Sequence, residues 1–147
     1  MPKKKSEPTI ALLRGINVGG RSIVPMRELV KCLESLGFEN VRTYIQSGNA
    51  VFDAKTNPSS KTGELISAAI SKACDVKPGV QLFSSADFQA IAKANPFPEA
   101  TDDPSRLHMF FLAEKPTAPK LEALEKLKSP TERDLPYNFP DRMLTIT

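Results

Sequence analysis

Two short stretches carry the groups best suited to hold an anion. The first is Arg14-Gly15-Ile16-Asn17-Val18-Gly19-Gly20-Arg21, and the second is Gln46-Ser47-Gly48-Asn49. Arginine guanidinium groups fork onto phosphate or carboxylate oxygens through paired hydrogen bonds. Gly15, Gly19, Gly20 and Gly48 allow backbone N–H groups to approach a ligand closely. Asn17, Gln46, Ser47 and Asn49 add neutral donors and acceptors. This set suits recognition of a phosphate, a carboxylate or a nucleic-acid backbone. The competing reading is a scaffold, with glycines shaping turns, Asn17 and Asn49 closing them, and Arg14 solvating a strand end.

Familiar catalytic patterns are close but fail on context. Gly15 to Ser22 nearly matches G-x-x-x-x-G-K-[ST], with Arg21 in place of the lysine. A phosphate loop puts its Lys-Ser in the first helical turn. Here Ile23, Val24 and Pro25 follow, and proline disfavours helix at Val24. Asp53 ends an apolar strand as a Walker-type acid would, but that strand follows directly on a hairpin turn. Nucleoside triphosphate hydrolysis is therefore set aside.

His108 is the only histidine, and its apolar strand predicts a packing role. A Ser-His-Asp relay would need it, and no G-x-S-x-G elbow is present. Cys32 and Cys74 form no C-x-x-C pair, which disfavours zinc and dithiol redox chemistry. Both fall in helical patterns, where cysteine packs as a small hydrophobe. Asp102 and Asp103, before Pro104, read as a solvated turn. No metal or cofactor is expected. An enzyme would have to work with Arg, Asn, Gln and Ser, a poor set for general acid–base catalysis.

The elements that position these residues follow from hydrophobic spacing. Residues 9–14 read as a strand with apolar groups on both faces, hence a central one. Gly15 to Val24 is a loop, and Pro25 suits the first turn of a helix. Met26, Leu29, Val30, Leu33 and Leu36 repeat at helical spacing, and Gly37 stops that helix. Val41 to Gln46 alternates as a strand, Ser47-Gly48-Asn49 forms a tight turn, and Ala50 to Asp53 returns. Asn57 to Thr62 reads as a loop. Ile66, Ala69, Ile70 and Ala73 mark a second helix ending near Pro78-Gly79, before a strand at Val80 to Phe83. Ser84 or Ser85 caps a third helix with the face Phe88, Ile91 and Ala92, which ends at Asn95-Pro96. Beyond it come a strand at Leu107 to Leu112 and a helix capped by Thr117. That helix has Pro119 in its first turn and Leu121, Leu124 and Leu127 inward. A further strand starts at Arg142.

The fold class is α+β: a ferredoxin-like βαββαβ unit (9–84) followed by an incomplete second α/β half (85–147), together one domain. Connection handedness makes strands one and two parallel, with strand three antiparallel between them. The Gly15–Arg21 loop and the Gln46–Asn49 turn then open at one end of the sheet. Arg42, Tyr44 and Gln46 share a strand face, and Tyr44 could stack a base. The aromatic RNA-binding signature of such sheets is absent, however, so the second half is expected to cover the sheet and partly bury Tyr44.

At 147 residues the chain has room for one proper core. A net charge of +3 permits an anionic partner without requiring one. The apolar runs fall short of a membrane helix, and the basic N-terminus lacks the apolar segment of a signal peptide. Residues 1–8, with Lys3, Lys4 and Lys5, read as a flexible basic tail, and a cytoplasmic location is expected.

The segments Ala11-Leu-Leu-Arg-Gly-Ile-Asn-Val-Gly-Gly, Val24-Pro-Met, Leu36-Gly-Phe and Val41-Arg-Thr-Tyr-Ile-Gln-Ser-Gly-Asn resemble the bacterial family called domain of unknown function 1697. Ala94-Asn-Pro-Phe-Pro and the Leu107-His108 strand are similar to it as well. The resemblance implies a duplicated ferredoxin-like α+β fold and no particular activity. It also implies a continuation past Thr147, through Tyr-Pro-x-Gly-Ile-Gly-x-Ser-Lys-Leu and an Arg-Asn-Trp segment, that this sequence lacks.

Three functions remain in order. The first is a binding module for a phosphate-bearing ligand, nucleotide or nucleic acid, at the glycine-rich loop. The second is a scaffold or protein-interaction domain. The third is a small enzyme using the same groups on an anionic substrate. Composition and spacing do not decide the oligomeric state.

Overall fold

The structure is a computed structural model that describes residues 6–95, 97–103, 105, 107–114, 121–126 and 143–146. Lys3 to Lys5 of the expected tail (1–8) and the Thr117-Pro119 helix start lie outside the described residues. The tail does not extend to residue 8, because Pro8 opens the first strand and Glu7 accepts from the Ala86 amide. Contacts divide the chain into two units, Met1–Ile91 and Ala92–Thr147.

In the first unit the elements run β1 (Pro8–Arg14), α1 (Met26–Ser35), β2 (Glu39–Tyr44), β3 (Asn49–Asp53), α2 (Ser60–Cys74), β4 (Gly79–Ser84) and all but the last two residues of α3 (Ser85–Lys93). The sheet order is β2-β3-β1-β4, with every neighbouring pair antiparallel. This matches the ferredoxin-like expectation: β1 and β2 run parallel and β3 lies between them. Alternation sorts the strand residues onto two faces. Thr9, Ala11 and Leu13 of β1 are buried, as are their neighbours Ala50 and Phe52 of β3. Leu29 and Leu33 of α1 and Ile66 and Ile70 of α2 complete that core. Each of these large side chains contributes about 1.5–3 kcal/mol through burial. Phe38 stacks on Phe52 with ring centroids 4.3 Å apart.

Helix ends explain most departures from the sequence expectation. Pro25 is the N-cap of α1, in extended geometry just outside the first turn, and its carbonyl accepts from the Glu28 and Leu29 amides. At the other end Gly37 has φ +84. Its amide donates to the Glu34 carbonyl and that of Phe38 to the Leu33 carbonyl. Only a residue at ease with positive φ closes a helix this way.

The expected loop at Asn57 to Thr62 holds only to Ser59, because α2 begins at Ser60. The Ser59 hydroxyl accepts from the Thr62 amide at 3.3 Å, and the Ser59 amide donates to the Thr62 hydroxyl at 3.4 Å. Threonine here replaces the usual Glu or Gln of a capping box. The polar first turn gave no apolar periodicity to mark it. Ser84 caps α3 by accepting from the Asp87 amide, and the Glu7 carboxylate accepts from the Ala86 amide. Phe88 meets Phe83 edge-on at 5.8 Å, whereas Ala92, expected inward, is exposed.

Two boundaries shift at the candidate site. β2 ends at Tyr44 because Ile45 takes φ +48, so Gln46 belongs to the turn and not to the strand. Asn49, expected in the turn, starts β3 and pairs with Tyr44.

Cys32 is buried, and Cys74 is partly so. Burial first, then Cys74 and Glu28, pushes the Cys32 thiol above its ordinary value. The thiolate is the reactive form, so a thiol reagent at mildly alkaline pH should modify Cys74 first. Cys32 should react only after denaturant is added. Mass spectrometry of the peptides reads the order, and equal native-state rates would contradict this packing.

The second unit contains a short 3-10 helix (Pro98–Asp102), β5 (His108–Phe111), α4 (Leu121–Lys126) and β6 (Met143–Ile146). β5 and β6 pair antiparallel, from His108 opposite Ile146 to Phe111 opposite Met143. His108 does not pack inward as expected. It shares the exposed face of β5 with Phe110. Asp102 and Asp103 are exposed, and Asp103 accepts from the Ser105 hydroxyl. Among the described residues no helix is long and apolar enough to cross a membrane.

Candidate functional site

The loop after β1 is a miniature hairpin. The Asn17 amide donates to the Ser22 carbonyl at 2.9 Å and the Arg21 amide to the Val18 carbonyl at 3.0 Å. Gly19 and Gly20 occupy its two central positions at φ +58 and +72. A two-residue turn of this hand needs positive φ twice, which is why two glycines stand there.

Asn17 then joins this loop to the next. Its Oδ1 accepts from the Val24 amide at 2.8 Å. Its Nδ2 donates to the Val24 carbonyl at 2.9 Å and to the Gln46 carbonyl at 2.8 Å. The Leu13 amide donates to the Gly48 carbonyl, which ties the β2–β3 turn to β1. The two stretches singled out in the sequence therefore meet at one end of the sheet.

Their side chains divide into two groups. Asn17 is fully engaged as a staple, and Asn49 donates to the Ser47 hydroxyl at 2.9 Å. Arg14, Arg21 and Gln46 are exposed, and among the described residues their side chains have no hydrogen-bond or ion-pair partner. Arg14 is not beside the hairpin. Its guanidinium lies over the start of β4, with Nε 3.5 Å from where a Cβ on Gly79 would stand. Gly15 and Gly48, at φ +81 and +85, serve the local chain path.

An open groove of about 490 Å³ runs from Gly20 and Ile23 past Met26 and Arg27 to Gln46. It lies at the N-terminus of α1, where first-turn amides lack helical partners and the helix dipole favours negative charge. The sequence separates Arg21 from that helix end, but the fold returns Gly20 to it. Arg27 was missed in the sequence reading. The signal was its position two residues after a proline cap, in the first turn. Its contact with Glu28 is loose, at 3.9 Å, and Glu28 is held at 2.9 Å by Lys31.

The same end of the sheet is also apolar at its rim. Val18, Ile23 and Ile45 are more than half exposed, and Tyr44 is 72% exposed. The expected partial burial of Tyr44 is thus overturned. It is the last residue of β2, and among the described residues no strand pairs with β2 on the side away from β3. A second cavity at the opposite end includes Lys55 and Glu7, but Glu7 already caps α3. Among the described residues no group of three His, Cys, Asp or Glu side chains could hold a metal.

Comparison with known proteins adds a family and a fold. The model of a family described as protein of unknown function (DUF1697) matches residues 7–137. The structure is similar to that of a conserved bacterial protein from Streptococcus pneumoniae, with a TM-score of 0.70 and 27% sequence identity. That likeness covers 95% of this chain and 74% of the other. No curated protein matches the chain.

Proposed function

The chain belongs to the DUF1697 family, and we propose that it is a binding module for a phosphate-bearing ligand, nucleotide or nucleic acid, held where the β1–α1 loop meets the β2–β3 turn. The observation that carries this reading is the groove between Gly20, Arg27 and Gln46 at the start of α1, with Arg21 next to Gly20 in the chain and, among the described residues, without a side-chain partner. A phosphate there would meet first-turn amides, the Arg27 guanidinium and the neutral Gln46 amide, with Arg21 one residue from the groove wall at Gly20. Asn17 holds the two loops together and is itself fully bonded, so its part is positioning.

The test is a thermal-denaturation scan against phosphate, sulfate, nucleotides and short nucleic acids. A ligand that binds only the folded state stabilises it by about 2.7 kcal/mol at a hundredfold excess over its dissociation constant. Arg21→Ala and Arg27→Ala should each weaken binding by roughly tenfold, the effect of losing a charge-assisted hydrogen bond. Unchanged affinity in both variants would sink the reading. If the ligand is a nucleic acid, affinity should fall steeply with salt, and less steeply in either variant.

The exposed rim of Val18, Ile23 and Ile45 favours a second reading, a protein-interaction surface. It requires concentration-dependent association in sedimentation, abolished by Ile45→Lys, with no small ligand bound.

A further inference from the structure

Register and alternation give an ordered set of side chains to the sheet face turned away from α1 and α2, which α3 meets at one corner through Phe88 on Phe83. Tyr44, Asn49, Leu12 and Gln81 are successive partners across β2, β3, β1 and β4, so they form one row on one face. The adjacent row is Arg42, Val51, Ile10 and Phe83. Arg14, two residues beyond Leu12, lies on this face over Gly79. The carboxylates of this face, Glu39 and Asp53, stand together at the opposite end, where Asp53 accepts from Asn40. The face therefore grades from acidic to aromatic and basic toward the loops.

From this row we infer that the ligand is a single-stranded nucleic acid laid across the sheet, with a base stacked on Tyr44. This rests on the phosphate-binding reading and names its substrate class. Aromatic side chains on an open sheet stack unpaired bases of any sequence. Tyr44 offers its ring to solvent, 72% exposed. Asn49 stands next to it with one amide proton engaged by Ser47 and its carbonyl oxygen available to a base edge. Leu12 continues the apolar platform. Arg42 on one edge strand and Arg14 over the other supply charge opposite to that of a sugar–phosphate backbone, across a sheet about 14 Å wide at ordinary strand spacing. The groove lined by Gly20, Arg27 and Gln46 receives a phosphate where the strand leaves the sheet. A duplex, with its bases already stacked, cannot use Tyr44 in this way.

The test is fluorescence anisotropy of the full chain with labelled octauridylate, octathymidylate, an abasic octamer of equal charge, and a duplex. Both base-bearing single strands should bind at least about tenfold more tightly than the abasic strand. Tyr44→Ala should weaken them by roughly 5- to 150-fold, the range for one lost base–aromatic stack, while Tyr44→Phe stays within about twofold. The exposed position makes a folding defect unexpected, and the melting temperature of each variant checks it. A preference between the two oligomers reports whether a 2′-hydroxyl is read. Equal affinity for the abasic strand or the duplex, with Tyr44→Ala indifferent, overturns the sheet inference and leaves the anion groove standing. No binding of any oligomer, and no thermal shift with phosphate, overturns both.

Discussion

Asn17→Ala is expected to lower the unfolding free energy by about 3 kcal/mol, measured by urea denaturation at neutral pH. The Asn17 side chain makes three hydrogen bonds, two to Val24 and one to Gln46. Val24 is 1% exposed, so its amide loses its partner without gaining water. An orphaned buried donor costs about 1–3 kcal/mol, and each ordinary hydrogen bond contributes about 1 kcal/mol. The backbone adds to this. Asn17 sits at φ +52, a left-handed conformation that asparagine tolerates and alanine resists by about 1–2 kcal/mol. Asn17→Asp should fall between the two, since it keeps the acceptor for Val24 but loses both donated bonds. Phosphate-dependent stabilisation should decline in the same order, because the Gln46 turn would no longer be tied to the β1–α1 loop. An alanine variant within about 1 kcal/mol of the parent would show that other contacts hold the loops together.

The legible and illegible parts of this chain differ in the range of the interactions that decide them. Sheet order followed from element order and crossover handedness, so the meeting of Gly15–Arg21 with Gln46–Asn49 was readable before any coordinates. Gly37 as a helix stop was readable too, since a single residue type announces it. The start of α2 was not, because Ser59 and Thr62 bond reciprocally in a stretch with no apolar marker. Three site residues depended on tertiary geometry. Arg14 leans over β4 because Gly79 opposite it has no side chain to exclude it. Arg27 reaches the groove because Pro25 caps the helix from outside and leaves Arg27 in the first turn. Tyr44 is open because β2 is an edge strand cut short by Ile45, and a positive φ at isoleucine has no sequence signature. His108 misled in the same way. Apolar neighbours in sequence do not decide which face of a two-stranded pair turns outward.

Gly48→Ala should be the other strongly damaging substitution, costing about 3 kcal/mol in the same assay. Gly48 is buried at φ +85 under the β2–β3 turn. An added Cβ would stand 2.6 Å from Ile16 Cδ1 and 2.9 Å from Leu13 Cβ. The isoleucine tip can rotate away, but Leu13 Cβ is fixed to the central strand, so the turn itself must lift. Overpacking of this kind costs about 1–3 kcal/mol, and left-handed geometry adds about 1–2 kcal/mol for alanine. Gly19→Ala separates the two contributions. At φ +58 with nothing within 4 Å of its added Cβ, it carries the backbone cost alone and should lose about 1 kcal/mol. Ile16→Val combined with Gly48→Ala should recover part of the loss and leave the Leu13 part in place. If Gly48→Ala cost no more than Gly19→Ala, the turn would not be seated on β1. The joined loops that frame both the groove and the Tyr44 platform would then need another support.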